Sequence, residues 1–147
     1  MMRPTKTLFI GVDAGDRNLI TQWAKEGVLP TFQSLFEKGA WGTTINPPGV
    51  FVGAIWPSFQ TSLSPTRHGR YCFKQLKVGT YQFEQIYPRD TKGTPFWARL
   101  SEQGRKVAAI DIPKSSLTPN LNGIHIVDWT THDPDEGFQT WPADFRF

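Results

Sequence analysis

Apolar residues along the chain fall into short runs separated by turn residues, and acidic residues follow the first run directly. Residues 8–12 are apolar, and Asp13 and Asp16 come after them with Ala14 and Gly15 between. A run this short, bounded by turn residues and then by a helical pattern, predicts a buried strand that ends in a loop. Ligands of open α/β sheets collect at the carboxyl ends of strands. Asp13 is therefore a candidate metal ligand, and capping of the next helix is the alternative.

Two segments after this strand have apolar residues at helical spacing. We predict helices at residues 17–26 and 31–37. Asp16 is placed to cap the first helix, and Gly27 ends it. Gly39 gives the second helix its C-terminal stop.

The remaining pattern alternates strands and helices. Pro57 is tolerated only in the first turn of a helix, so the third helix is expected to start near Trp56. The other predicted elements are strands at residues 41–45, 106–112 and 123–128, a helix from Thr94 to Gly104, a polar loop at residues 64–70, and a short hairpin or loop excursion at residues 71–87. This alternation predicts a single α/β domain over residues 1–147, with a largely parallel central sheet flanked by helices.

Composition narrows the partners. The formal net charge of +3 suits an anionic substrate, but no run of Lys and Arg has the density of a nucleic-acid footprint. Cys72 is the only cysteine, so the chain cannot form an internal disulfide. This favours a reducing compartment, and we therefore expect a cytoplasmic protein. No stretch approaches the roughly 20 apolar residues of a membrane span. We therefore expect neither nucleic acid nor a membrane as a partner.

Five short motifs occur in a fixed order along the chain. They read IGVDAG at residues 10–15, GVLPTF at 27–32, LFEKGA at 35–40, WPSFQT at 56–61 and SPTRHG at 64–69. Each motif is weak alone, but the ordered set resembles the N-terminal part of the alkaline phosphatase superfamily. The most similar branch is that of predicted phosphohydrolases and type I phosphodiesterases or nucleotide pyrophosphatases. The resemblance implies an alkaline phosphatase-like fold, of which this chain would be a truncated, N-terminal part.

That resemblance also implies a chemistry. Members of the superfamily hydrolyse phosphate mono- or diesters with two divalent metal ions, here expected to be Zn²⁺ or Mn²⁺. The superfamily's first metal ligand is the Asp that ends the first strand, and Asp13 matches it. Asp13 is the only such ligand visible in this chain, and the implied substrate is a phosphorylated small molecule.

The position of the nucleophile departs from the superfamily pattern. Members place a Ser or Thr about nine residues before the Thr that matches Thr61, and the corresponding residue here is Val52. An insertion could shift this count, so Ser58 stays a candidate catalytic residue, with local backbone bonding as the structural alternative. Because Val52 has no hydroxyl group, a second function stays open. The chain could be a non-catalytic relative that binds a phosphorylated ligand or a partner.

The loop at residues 64–70 carries two further candidates. Arg67 and Arg70 could bind a phosphate, because a guanidinium group matches phosphate oxygens in a bidentate manner. The resemblance implies a structural role for His68 in shaping the turn. Asp128 and His132 have the spacing of a superfamily ligand pair by count only, and we interpret their segment as a substrate-side loop.

Overall fold

The structure is a computed structural model that describes residues 6–46, 48–50, 52–130 and 137–145. It divides into two compact units, Met1–Ile45 and Asn46–Phe147. No helix in the described ranges is long and apolar enough to cross a membrane.

The first unit contains two packed helices, α1 (Arg17–Lys25) and α2 (Pro30–Lys38). The carboxylate of Asp16 accepts hydrogen bonds from the backbone N–H groups of Asn18 and Leu19, at 2.8 and 2.9 Å. These bonds satisfy two of the donors that a helix leaves open at its start. Both helices and the Asp16 cap are therefore confirmed.

Two strands predicted in this unit are wrong. Residues 8–12 and 41–45 form no regular structure, and their apolar side chains lie open to solvent, with Leu8 83% and Ile45 90% exposed. A strand is stable only beside a partner that takes up its backbone hydrogen bonds. All five strands of the described residues belong to the second unit, so neither segment gains a ladder partner.

The second unit begins with two short helices and a hairpin. Helices α3 (Ile55–Thr61) and α4 (Pro65–His68) are followed by the antiparallel strands β1 (Lys74–Leu76) and β2 (Phe83–Gln85). Helix α3 and the hairpin are confirmed. The segment predicted as a polar loop instead contains α4.

A three-stranded sheet with one helix completes the unit. Helix α5 (Phe96–Glu102) precedes the strands β3 (Val107–Ile110), β4 (Gly123–Val127) and β5 (Gln139–Trp141). Strands β3 and β4 pair in parallel, while β5 pairs with β4 in the antiparallel direction.

The sheet of the described residues is therefore mixed. The predicted strands β3 and β4 are confirmed, whereas β5 was not predicted. The sequence contains no signal for β5, because its three residues are too few to show an alternating pattern.

The core of the second unit lies between α5 and one face of this sheet. Its buried apolar members are Trp97, Ala98, Ala109 and Leu121. The sheet is covered on this face, while Ile110 on β3 is 51% exposed. The strand predicted as buried is thus buried on one side only.

Candidate functional site

Helices α3 and α4 bring together two polar side chains that are ten residues apart. Ser62, with a φ of 58°, ends α3 in the left-handed region, and Gly69 ends α4 in the same region with a φ of 80°. The two helices pack against each other. As a result the Oγ of Ser58 lies 2.9 Å from the Nε2 of His68.

The hydrogen bonds of His68 fix which ring nitrogen carries the proton. The backbone N–H of Arg70 donates to Nδ1 of His68 at 3.1 Å, so Nδ1 is an acceptor with a free lone pair. A neutral imidazole with an unprotonated Nδ1 carries its hydrogen on Nε2. The Nε2–H of His68 therefore donates to Ser58, and the serine oxygen is the acceptor.

The electrostatic surroundings keep His68 neutral. Its side chain is fully buried, and burial lowers the pKa of the ring below 6.5, with the nearby Arg70 charge lowering the pKa further. A general base must offer a lone pair to the proton that it removes. The nitrogen of His68 that faces Ser58 has none, so this pair is not arranged as a serine–histidine nucleophile pair.

The backbone around the pair is held from several sides. The N–H of Lys92 donates to the carbonyl oxygen of His68 at 3.1 Å. The side chain of Gln60 donates to the carbonyl oxygen of Pro113 at 2.7 Å, which ties α3 to the loop after β3. These contacts make the α3–α4 junction a firmly held part of the second unit.

The two candidate arginines differ in exposure. Arg67 lies in the last turn of α4 and is exposed. Arg70 is only 1% exposed, and its Nη1 donates to the Oγ1 of Thr91 at 3.2 Å. In this geometry Arg67 is the arginine that a dissolved phosphate can reach, while the Arg70 side chain is directed into the protein.

Asp13 lies in the first unit, in a tight turn that follows the exposed apolar run. The N–H of Gly15 reaches the carbonyl oxygen of Val12 at 3.4 Å, and Ala14 inside the turn has a φ of 54°. The Asp13 side chain is exposed. The N-cap of α1 is Asp16 and not Asp13, because the Asp16 carboxylate accepts from the N–H groups of Asn18 and Leu19.

A further polar cluster lies at the end of β3, where sequence reasoning named no site residue. Asp111 accepts from the backbone N–H of Trp129 at 2.9 Å and from the Oγ1 of Thr130 at 2.8 Å. Asp111 and Asp128 each follow one of two neighbouring parallel strands, with φ values of 50° and 55°. The sequence did contain a signal for this cluster, namely an aspartate directly after each of two consecutive predicted strands.

These carboxylates do not gather into a metal centre in the ranges that the structure describes. No group of three or more His, Cys, Asp or Glu side chains there is close enough to hold a metal ion. His132 lies outside the described residues, so the structure does not test whether it pairs with Asp128. The described donor set does not fit a divalent metal, since such ions take at least three or four ligands.

Comparison with known proteins decides the family. The family model of type I phosphodiesterase / nucleotide pyrophosphatase matches residues 7–143. The chain belongs to this family. No curated protein and no solved structure gives a significant match.

Membership in the phosphodiesterase/pyrophosphatase family places the chain in the alkaline phosphatase superfamily, as the ordered motifs predicted. The matched range includes Asp13, Ser58, Arg67 and Arg70. The family is typically metal-dependent and acts on phosphorylated small molecules.

Proposed function

We propose that this chain forms the N-terminal part of the catalytic domain of a metal-dependent hydrolase of phosphate mono- or diesters. The observation that carries the proposal is the family match over residues 7–143, which spans nearly the whole chain. The exposed turn that carries Asp13 is consistent with it, because a metal ligand must be accessible to the ion and to the substrate.

Asp13 is proposed as a ligand of one of two divalent ions, Zn²⁺ or Mn²⁺. One carboxylate is not a binding site, so further ligands have to join it. The described residues provide no such set. We therefore assign no reaction step to the metal and limit the proposal to the residue that contributes to holding it.

The test compares two aspartates of the same loop. In the full-length protein, Asp13→Asn should abolish chelator-sensitive hydrolysis of a generic aryl phosphate diester and weaken Zn²⁺ or Mn²⁺ binding in a calorimetric titration. Asp16→Asn is the matched control, since it removes the same charge while its amide oxygen can still cap α1. Equal metal affinity in both variants and the wild type would remove Asp13 from the site.

Ser58 is less favoured as a nucleophile once its hydrogen bonds are known. A serine that attacks phosphorus must pass its proton to a base. The facing nitrogen of His68 already carries a hydrogen, and moving that hydrogen to Nδ1 would break the contact with the Arg70 N–H. Mass spectrometry of the peptide that contains Ser58, after reaction with substrate, tests whether Ser58 is the nucleophile, because only a nucleophilic Ser58 would carry the phosphoryl group.

A second function is favoured by Val52. This residue stands at the nucleophile position of the superfamily pattern and begins a 3-10 turn, Val52–Ala54, just before α3. A chain without a hydroxyl group there could bind a phosphorylated ligand without cleaving it. Saturable binding of inorganic phosphate or a phosphodiester, with no chelator-sensitive turnover, would establish this non-catalytic function in place of the first.

A further inference from the structure

The β1–β2 hairpin presents an apolar face to solvent. Leu76 and Phe83 lie directly opposite each other in the antiparallel register, and their side chains are 47% and 72% exposed. Successive side chains of a strand point to opposite faces of the sheet. Gln75, the neighbour of Leu76, therefore belongs to the other face of the hairpin.

That other face is anchored to the second unit through Gln75. The side chain of Gln75 is buried, its Nε2 donates to the carbonyl oxygen of Gly69 at 3.0 Å, and its Oε1 accepts from the N–H of Tyr71 at 2.9 Å. The hairpin is thus oriented with a polar residue inward and its apolar pair outward. This is the reverse of the usual pattern for a sheet that packs on a core.

The tip of the hairpin continues the exposed apolar surface. The carbonyl oxygen of Lys77 accepts from the N–H of Thr80 at 3.1 Å, and Gly79 supplies the φ of 76° that this tight turn requires. The turn holds Val78 and Tyr81 away from the protein, with exposures of 95% and 99%. Both side chains are held at the tip with almost no contact to the protein.

Charge on the hairpin is arranged around this apolar surface. Lys74 is two residues from Leu76 and shares its face, and Lys77 adjoins the tip. Glu84 lies opposite Gln75 and so belongs to the anchored face. Lys74 therefore shares the exposed apolar face. Lys77 follows Leu76 and belongs by the same alternation to the side of Gln75 and Glu84, where it lies exposed beside the tip.

We propose that the hairpin face, defined by Leu76, Val78, Tyr81 and Phe83, docks on the surface of a bilayer that contains anionic lipids. Tyrosine suits the boundary between an apolar layer and water, and flanking lysines reach anionic head groups while their stems stay on apolar surface.

Two other occupants fit the chemistry less well. Lysine is depleted in protein–protein interfaces, where arginine is the enriched cation, and both cations beside this face are lysines. A second copy related by two-fold symmetry would bring Lys74 of both copies to one interface. Peripheral docking needs no spanning helix, so the expectation of no membrane partner, which rests on the lack of a span, does not bear on it.

The experiment is co-sedimentation of the full chain with vesicles of phosphatidylcholine, with and without phosphatidylserine. Binding is expected only with phosphatidylserine and should weaken as salt is added.

Tyr81→Ser combined with Phe83→Ser should reduce binding by more than about tenfold. Lys74→Gln and Lys77→Gln should each reduce it by about fivefold. Phe138→Ser is the matched control, because Phe138 is also exposed but precedes β5 in the other sheet.

Several results would overturn the proposal. These are no binding to either vesicle, equal binding to both, or a loss of binding in the Phe138 control as large as in the hairpin variant. A dimer in light scattering that the hairpin double variant splits, without vesicle binding, would assign the face to a second copy instead. None of these measurements uses hydrolysis, so their failure leaves the proposed function standing.

Discussion

The Nε2–H of His68 donates a hydrogen bond to the Oγ of Ser58 across 2.9 Å and joins α4 to α3. The direction of this bond follows from a backbone contact on the other side of the ring, where the N–H of Arg70 occupies Nδ1. A serine beside a histidine is often interpreted as a nucleophile with its base. Here the same two residues stabilise a helix junction.

Ser58→Ala is expected to destabilise the second unit. The substitution leaves the buried Nε2–H of His68 without its acceptor, which costs about 1–3 kcal/mol of unfolding free energy. Ser64→Ala is the control, since the hydroxyl of Ser64 pairs with that of Thr66 at the exposed surface. Urea unfolding of both variants checks this, and equal midpoints would contradict the assigned bond.

Asp111 should tolerate Asn better than Ala. Asp111→Ala removes the acceptors of the Trp129 N–H and the Thr130 hydroxyl and places alanine at a φ of 50°. We expect a loss of about 2–3 kcal/mol. Asp111→Asn keeps one acceptor oxygen, and asparagine enters the left-handed region readily, so the loss should be smaller. Thermal unfolding compares them, and a larger loss in the Asn variant would refute this account.

Gly123→Ala should disrupt the pairing of β3 with β4. A Cβ atom at Gly123 would overlap the backbone carbonyl of Val107, and the φ of 145° is strained for any other residue. Because backbone atoms cannot move aside as a flexible side chain can, the expected loss exceeds about 3 kcal/mol.

Gly104→Ala is the matched control for this substitution. Gly104 also has a positive φ, of 76°, but its Cβ would meet open space, so the cost should stay near 1 kcal/mol. Circular dichroism and urea unfolding of the two variants test the prediction. Similar losses in both would show that the close approach to Val107 is unimportant.

His125 should make stability depend on pH. The ring is buried against Trp97, its Nδ1 accepts from the N–H of Thr118 at 3.0 Å, and burial lowers its pKa from 6.5 to about 4. Between these two values the unfolded chain binds a proton that the folded chain does not. Stability is therefore full above pH 6.5, falls as the pH drops toward 4, and loses about 3 kcal/mol in total.

The comparison that isolates this effect is His125→Asn, whose amide oxygen can replace Nδ1 as the acceptor. His68 is present in both proteins, so its contribution cancels. The difference in unfolding free energy between wild type and variant should shrink by this amount as the pH falls from 6.5 to 4. A difference that does not change with pH would remove His125 as the cause.

Local contacts explain what the sequence determined by itself. Helices α1 and α2 were predictable, because apolar spacing, the Asp16 cap and the Gly27 stop all act within about four residues. The family was predictable as well, because the order of its motifs is a property of the sequence alone.

Tertiary structure decided the features that depend on residues far apart in sequence. Residues 8–12 have the pattern of a buried strand, yet a strand exists only beside a neighbouring strand that pairs with it, and none of the strands in the described structure pairs with this segment. The role of Ser58 depended on whether the nitrogen of His68 that faces it carries the hydrogen, and the contact of the Arg70 N–H with the other ring nitrogen decides this. A spacing pattern identifies which residues could act. Only the fold fixes the partners that determine their chemistry.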